Sequence, residues 1–120
     1  MAQVLVVDDS TSMRTMVTAT LTSVGHQVKD AENGKAALDV AKSGAFDVVI
    51  TDLNMPIMDG ITLTRELRSI PKYTYTPILL LTTESSGDKK AAGKDAGATG
   101  WLVKPFNPER LLSTIDRVLG

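Results

Sequence analysis

The sequence predicts an α/β fold: a doubly wound, five-stranded parallel sheet covered on both faces by five helices. Two observations predict it. Short apolar runs, rich in β-branched residues and free of polar alternation, recur along the chain, which is how strands buried on both faces read. Between them lie stretches with apolar residues at three- and four-residue spacing, joined by short connections. Alternation of this kind requires right-handed crossovers and a covered parallel sheet.

The elements follow in order. The first strand, Val4-Leu5-Val6-Val7, runs into Asp8-Asp9. Ser10-Thr11-Ser12 offers an N-cap to a helix carrying Met13, Met16, Val17, Leu21 and Val24. A weaker apolar run around Val28 marks the second strand, and Asn33-Gly34 precedes a shorter helix marked by Ala37, Leu38 and Ala41. Val48-Val49-Ile50 is the third strand and leads to Asp52. Asp59 caps a third helix bearing Ile61, Leu63, Leu67 and Ile70, which Pro71 stops. Residues 71–77, with Tyr73 and Tyr75, are the least regular segment and are expected to be a surface loop. Ile78-Leu79-Leu80-Leu81 is the fourth strand, and a small, polar helix over 88–96 ends at Gly97. Trp101-Leu102-Val103 is the fifth strand. Asn107-Pro108-Glu109 then opens the last helix with a cap followed by proline at the first helical position. That helix is expected to bury Leu111, Leu112, Ile115, Val118 and Leu119.

Composition removes several classes of function. Thirteen basic residues against fourteen acidic ones give a net charge of −1, without the cationic excess on which non-specific nucleic-acid binding relies. The absence of cysteine excludes disulfides, cysteine–zinc sites and cysteine nucleophiles, and one histidine cannot build a histidine-rich metal site. Met1-Ala2-Gln3 leads straight into the first strand, with no basic segment and too few apolar residues for a span. The expectation is a single domain over residues 1–120, cytoplasmic, uncleaved, and bound to neither nucleic acid nor membrane.

In a doubly wound sheet, ligands sit beyond the carboxyl ends of the strands. The residues there are Asp8 and Asp9, then Asp52-Leu53-Asn54, then Thr82-Thr83-Glu84, and finally Lys104-Pro105-Phe106. Three carboxylates, a hydroxyl and an ammonium are thus expected on one rim. Two like charges about 5 Å apart repel by ~3 kcal/mol at an effective dielectric of ~20, so the acids require protonation or a cation. An all-oxygen ligand set suits a hard ion, and a partial one suits Mg²⁺, which keeps several waters and often takes a phosphate oxygen. A carboxylate such as Asp52 can also act as a nucleophile and carry an aspartyl phosphate. Lys104 and the Thr82 hydroxyl can then meet the charge on the phosphoryl oxygens.

Four blocks carry a resemblance over the whole chain: Val6-Val7-Asp8-Asp9-Ser10, Asp52-Leu53-Asn54-Met55-Pro56-Ile57-Met58-Asp59-Gly60, Leu81-Thr82-Thr83-Glu84 and Gly100-Trp101-Leu102-Val103-Lys104-Pro105-Phe106. The chain resembles the receiver domain of bacterial response regulators, the stand-alone chemotaxis regulators most closely. The resemblance implies a flavodoxin-like sheet of order 2-1-3-4-5. It implies that Asp52 is the phosphoacceptor, and that Asp9, Asp52 and the Asn54 backbone carbonyl bind Mg²⁺, with Asp8 acting through water. Lys104 would bind the phosphoryl group, Thr82 and Trp101 would form the switch, and Asn54 and Glu84 would tune hydrolysis. The Lys104–Pro105 bond is expected to be cis. The sequence departs from the family at Trp101, where Tyr or Phe is usual, and at Leu53 and Thr83. A sensor histidine kinase is the implied phosphodonor and a protein target, such as a flagellar motor switch, the implied partner of a monomer. The phosphorylating and dephosphorylating activity would be the domain's own, with no metabolite turned over.

The rival readings fare worse on residues. A phosphate shuttle or sink in another phosphorelay shares the same site and differs only in output. A haloacid-dehalogenase-like phosphatase needs an acid two residues past its nucleophile, where Asn54 stands. A flavin carrier needs a glycine- and hydroxyl-rich phosphate loop where Asp8-Asp9 would repel the anion. An EF-hand beginning at Asp52 would need Glu at position 63, which is Leu63. Lys89, Lys90 and Lys94 read as a solvated face, or as part of a partner surface with Trp101.

Overall fold

A computed structural model of the chain describes residues 2–83, 87–104 and 107–120. Its strands are β1 (Gln3–Val7), β2 (Gln27–Ala31), β3 (Val48–Asp52), β4 (Ile78–Thr82) and β5 (Gly100–Val103). Its helices are α1 (Thr11–Thr22), α2 (Gly34–Ser43), α3 (Gly60–Arg68), α4 (Gly87–Ala96) and α5 (Pro108–Leu119), with a 3₁₀ turn over Pro71–Tyr73. The strands form one sheet in the order β2-β1-β3-β4-β5, every neighbouring pair parallel. This is the doubly wound fold expected, in the order that the resemblance implied.

Successive residues of a strand face opposite sides of a sheet, and the core divides accordingly. Val4, Val6, Val48, Ile50, Leu79 and Leu81 face α1 and α5, where they meet Val17, Leu21, Leu111 and Ile115. Leu5, Val7, Val49 and Ile78 face the other way, onto Ala37 and Ala41 of α2 and Leu63 and Leu67 of α3. Both faces of the three central strands are therefore dry, which is why their sequences do not alternate.

The edges differ. β2 is largely exposed, and β5 leaves Val103 45% accessible, so the third residue of the fifth apolar run is not buried as its composition suggested. Met16 and Val24 are also exposed, the first on the outer side of α1 and the second past its end. Along α5, Leu112 and Val118 pack against the core, whereas Leu119, at its end, is exposed.

The helix starts are set by local chemistry. Side chains of Ser10, Asn33 and Asp59 accept hydrogen bonds from the backbone amides of Met13, Ala36 and Thr62, and Asn107 accepts from those of Glu109 and Arg110. Each satisfies an amide that the helix itself leaves unpaired. α4 ends on Gly97, whose φ of 106° is left-handed and comfortable only for glycine.

One segment corrects the sequence reading. Residues 71–77 are not a loop lying wholly on the surface. Tyr73 is 1% exposed, and its hydroxyl donates 2.6 Å to the Ala41 carbonyl and 3.2 Å to that of Gly44. The ring plugs the space between α2 and α3 while satisfying the end of α2, so a polar tip and an apolar body are both used. Tyr75, two residues on, is exposed as expected.

Candidate functional site

The carboxyl ends of β1, β3 and β4 and the residue following β5 meet at one rim, because a parallel sheet places all these ends on the same side. Asp8 follows β1 and is 2% exposed; Asp52 closes β3 and is 7% exposed. Asp9 is exposed beside them. One carboxylate oxygen of each of these three acids lies within 4.8 Å of the others.

Lys104 enters this group from the far side. Its Nζ donates 2.9 Å to Asp8 Oδ2 and lies 3.3 Å from Asp52 Oδ1. The sheet aims it there. The Lys104 amide donates 2.7 Å to the Thr82 carbonyl, extending the β4–β5 ladder by one residue and holding the lysine over the rim.

Each buried acid has a second tether. Asp8 Oδ1 accepts from the Ser10 amide at 2.9 Å, and Asp52 Oδ1 accepts from the Leu53 amide at 2.9 Å. Backbone donors hold a carboxylate in a fixed rotamer and favour its charged form. The loop after Asp52 is pinned as well. The Gly60 amide donates 2.9 Å to the Leu53 carbonyl, and a Cβ at Gly60 would collide with the Asp52 carbonyl, so only glycine lets α3 start this close to the end of β3. Within that loop Ile57 has φ 71° and is 77% exposed, with the Met58 amide donating 2.7 Å to the Pro56 carbonyl across it. A β-branched residue held at positive φ is a local strain that the flanking hydrogen bonds maintain.

The electrostatics follow from burial. Desolvation pushes the Asp52 carboxyl above the ordinary carboxylate range, and the charge of Asp8 pushes the same way. The attraction and hydrogen bond of Lys104 and the Leu53 amide pull it back without cancelling the rise. For Lys104, burial alone would lower the ammonium, but its hydrogen bond to Asp8 and the charges of Asp52 and Asp8 outweigh that and hold it above its usual value. The cluster is therefore short of positive charge. Two buried acids share one lysine and a third stands beside them, a donor set that fits a hard divalent cation.

The other expected site residues fall as follows. Thr82 is fully buried at the end of β4, and Trp101 is half-buried on β5. Asn54 is exposed two residues beyond Asp52. Glu84 and the Lys104–Pro105 bond lie outside the described residues. His26 is remote from the rim, with its Nδ1 accepting from the Ala2 amide at 3.1 Å. Sequence reasoning missed Arg14, whose Nη1 donates 2.7 Å to the Asp8 carbonyl. Its signal was available, for Arg14 is the single charged residue of α1.

Comparison with known proteins places these features in context. Residues 4–116 match the response regulator receiver domain. A chemotaxis protein CheY homolog of Campylobacter jejuni is 41% identical over 120 residues, covering 98% of this chain and 92% of that protein. Protein PilH of Pseudomonas aeruginosa is 40% identical over 119 residues, covering 99% and 98%. Among solved structures, the chemotaxis protein CheY4 of Vibrio cholerae is 55% identical, with a TM-score of 0.96 and 99% of each chain covered.

Proposed function

The chain belongs to the response regulator receiver domain family, and on that premise we propose that it accepts a phosphoryl group on Asp52 from a histidine kinase and thereby switches a protein–protein contact in chemotaxis, through a target such as the flagellar motor switch. The observation that carries this reading is the position of Lys104, bridging Asp8 and Asp52 beside Asp9.

Asp52 attacks the phosphorus of a phosphohistidine. The new bond joins an Asp52 carboxylate oxygen to phosphorus, the phosphorus–nitrogen bond breaks, and the imidazole nitrogen keeps the electron pair. Charge spreads over the phosphoryl oxygens as this occurs, so positioning and electrostatics do most of the catalysis. Lys104, already oriented by Asp8, supplies an ammonium to one oxygen. The Thr82 hydroxyl, at the carboxyl end of β4, serves another. Asp9, Asp52 and the Asn54 carbonyl would hold Mg²⁺ directly and Asp8 through water. When bound, the ion neutralises charge on the acids and the phosphoryl group. On the same reading Asn54 and Glu84 tune the later hydrolysis, the role that the resemblance gives to these two positions. Trp101 reads the altered position of Thr82.

Among the described residues no helix is long and apolar enough to cross a membrane, and we place the encounter with the kinase in the cytoplasm, the receiver acting as a monomer. Incubation with a small phosphodonor and Mg²⁺ is expected to add one acid-stable, base-labile phosphoryl group, which intact-mass spectrometry reads directly. Asp52→Asn is expected to take up none. Labelling of that variant at the wild-type level would overturn the assignment.

A further inference from the structure

The three acids of the rim are not held alike. Asp8 is fixed by Lys104 and the Ser10 amide, and Asp52 by Lys104 and the Leu53 amide. No side-chain hydrogen bond holds the Asp9 carboxylate among the described residues, so its aim depends on its backbone. The peptide that joins Asp8 to Asp9 carries the Asp8 carbonyl, and that oxygen accepts from Arg14 Nη1 at 2.7 Å.

Arg14 is itself fixed at two further points. Its Nε pairs with Asp30 Oδ2 at 3.1 Å, and its Nη2 lies 3.4 Å from Thr11 Oγ1. The arginine is 15% exposed, whereas Asp30, on the edge strand β2, is 53% exposed. A bare cation beside a cation site would repel the ion. Asp30 offsets that charge and leaves the directional donors of the guanidinium fork, which can engage two partners at once. We propose that Arg14 is a positioning residue for magnesium: it locks the Asp8–Asp9 peptide and so aims the otherwise untethered Asp9 carboxylate, with Asp30 holding the arginine in place. This rests on the magnesium reading given above. It resembles the outer partners of other metal sites, whose loss typically weakens metal binding by about 10–100-fold.

The test is calorimetric titration of the full chain with Mg²⁺, paired with thermal unfolding in EDTA. Arg14→Ala is expected to weaken Mg²⁺ binding about tenfold at a temperature where circular dichroism shows the variant folded. Arg14→Lys should recover part of that loss, since it offers one donor but not the fork. Asp30→Asn should weaken binding by a smaller factor. The double variant Arg14→Ala/Asp30→Asn should bind no more weakly than Arg14→Ala alone. A purely structural arginine would lower the melting temperature and leave the Mg²⁺ dissociation constant within about twofold of wild type, which would overturn the proposal. If Arg14→Ala does not fold, unchanged Mg²⁺ affinity in both Arg14→Lys and Asp30→Asn overturns it equally. Asp9→Asn is the control: it should lose binding whatever Arg14 does. Wild-type protein that binds no Mg²⁺ would bring down the magnesium reading itself, a result distinct from normal binding by the Arg14 variants.

Discussion

Lys104 carries a double electrostatic burden, because one ammonium serves two buried carboxylates. Removing one partner of a buried charge cluster costs more than the cluster contributes, since the remaining charges stay buried without compensation. Lys104→Met is therefore expected to lower stability in EDTA by about 3–5 kcal/mol. Mg²⁺ should restore more stability to this variant than to wild type, because the ion and the lysine answer the same deficit. Equal gains on Mg²⁺ addition in thermal unfolding would count against that account. Asp52 gives the opposite sign. Its carboxyl titrates higher in the folded protein than in the unfolded chain, first through desolvation and then through Asp8. The stability it contributes is thus fully present below the unfolded value and is lost as pH rises through the folded one. In EDTA at neutral pH, Asp52→Asn should be the more stable protein by on the order of 1 kcal/mol, the relieved repulsion being partly offset by the lost attraction to Lys104. That advantage should shrink as pH falls through the raised value, where the wild-type carboxyl takes up its proton. Melting temperatures across an acid pH series measure it, and a pH-independent difference would contradict it.

Among the helices, α4 has the least apolar burial. Only Gly93 and Ala96 are buried, both in its second half, while residues 87–91 are exposed. The far end is clamped. Arg68, at the close of α3, donates 3.0 Å from Nε to the Gly97 carbonyl, and its Nη1 reaches the Tyr73 and Thr76 carbonyls at 2.7 and 2.6 Å. A helix fixed at one end and lightly packed at the other is expected to open first at its lightly packed end. Hydrogen exchange should accordingly be fastest at the start of α4 and slowest near Gly97. Arg68→Ala should erase that gradient, cost about 1–3 kcal/mol through carbonyls left without a donor, and leave phosphorylation of Asp52 intact. A gradient that survives the substitution would place the anchor elsewhere. These elements also show what a sequence can disclose. The caps at Ser10, Asp59 and Asn107 were legible because each bonds an amide two or three residues away. The acids and Lys104 were legible because strand ends in a parallel sheet share one rim. Tyr73 was not, since its partners are carbonyls 29 and 32 residues upstream and no local spacing announces them. Arg68 escaped for the same reason: it acts on backbone carbonyls, which every residue has, so no partner motif marks it.

Across the whole molecule, the register of the sheet decides how an event at Asp52 can reach the surface. Asp52 pairs with Leu81, and Leu81 with Leu102, all on the side of α1 and α5. Thr82 is one residue further, so the pleat turns it to the opposite side, toward α3 and α4. Leu80 and Trp101 lie on that same side, paired with each other, and both meet Gly93 of α4: a Cβ there would stand 2.6 Å from Leu80 Cδ1 and 3.3 Å from Trp101 Cζ3. Thr82 pairs in turn with Val103, two residues along from Trp101. Thr82 is thus the hydroxyl that belongs to the Asp52 rim by position and to the Trp101 face by orientation. Drawing it toward a phosphoryl group vacates volume on the α4 side, next to an indole that is only half-buried and lines a cavity of about 320 Å³ with Lys90, Lys94 and Thr99. Filling that volume buries apolar ring surface at ~25 cal/mol per Å². The bulk of tryptophan opposes it, because overpacking costs ~1–3 kcal/mol, and a shift of the lightly packed α4 would relieve the crowding. Two discrete packings of this kind would convert a local charge into a changed surface. As the sole tryptophan, Trp101 would report which packing is occupied. A phosphoryl mimic with Mg²⁺ should shift its emission to the blue and reduce quenching by iodide. Thr82→Ala should weaken both responses while leaving phosphorylation of Asp52 possible. Unchanged emission and quenching in a demonstrably phosphorylated sample would mean that the signal leaves the rim by a route other than Thr82 and Trp101.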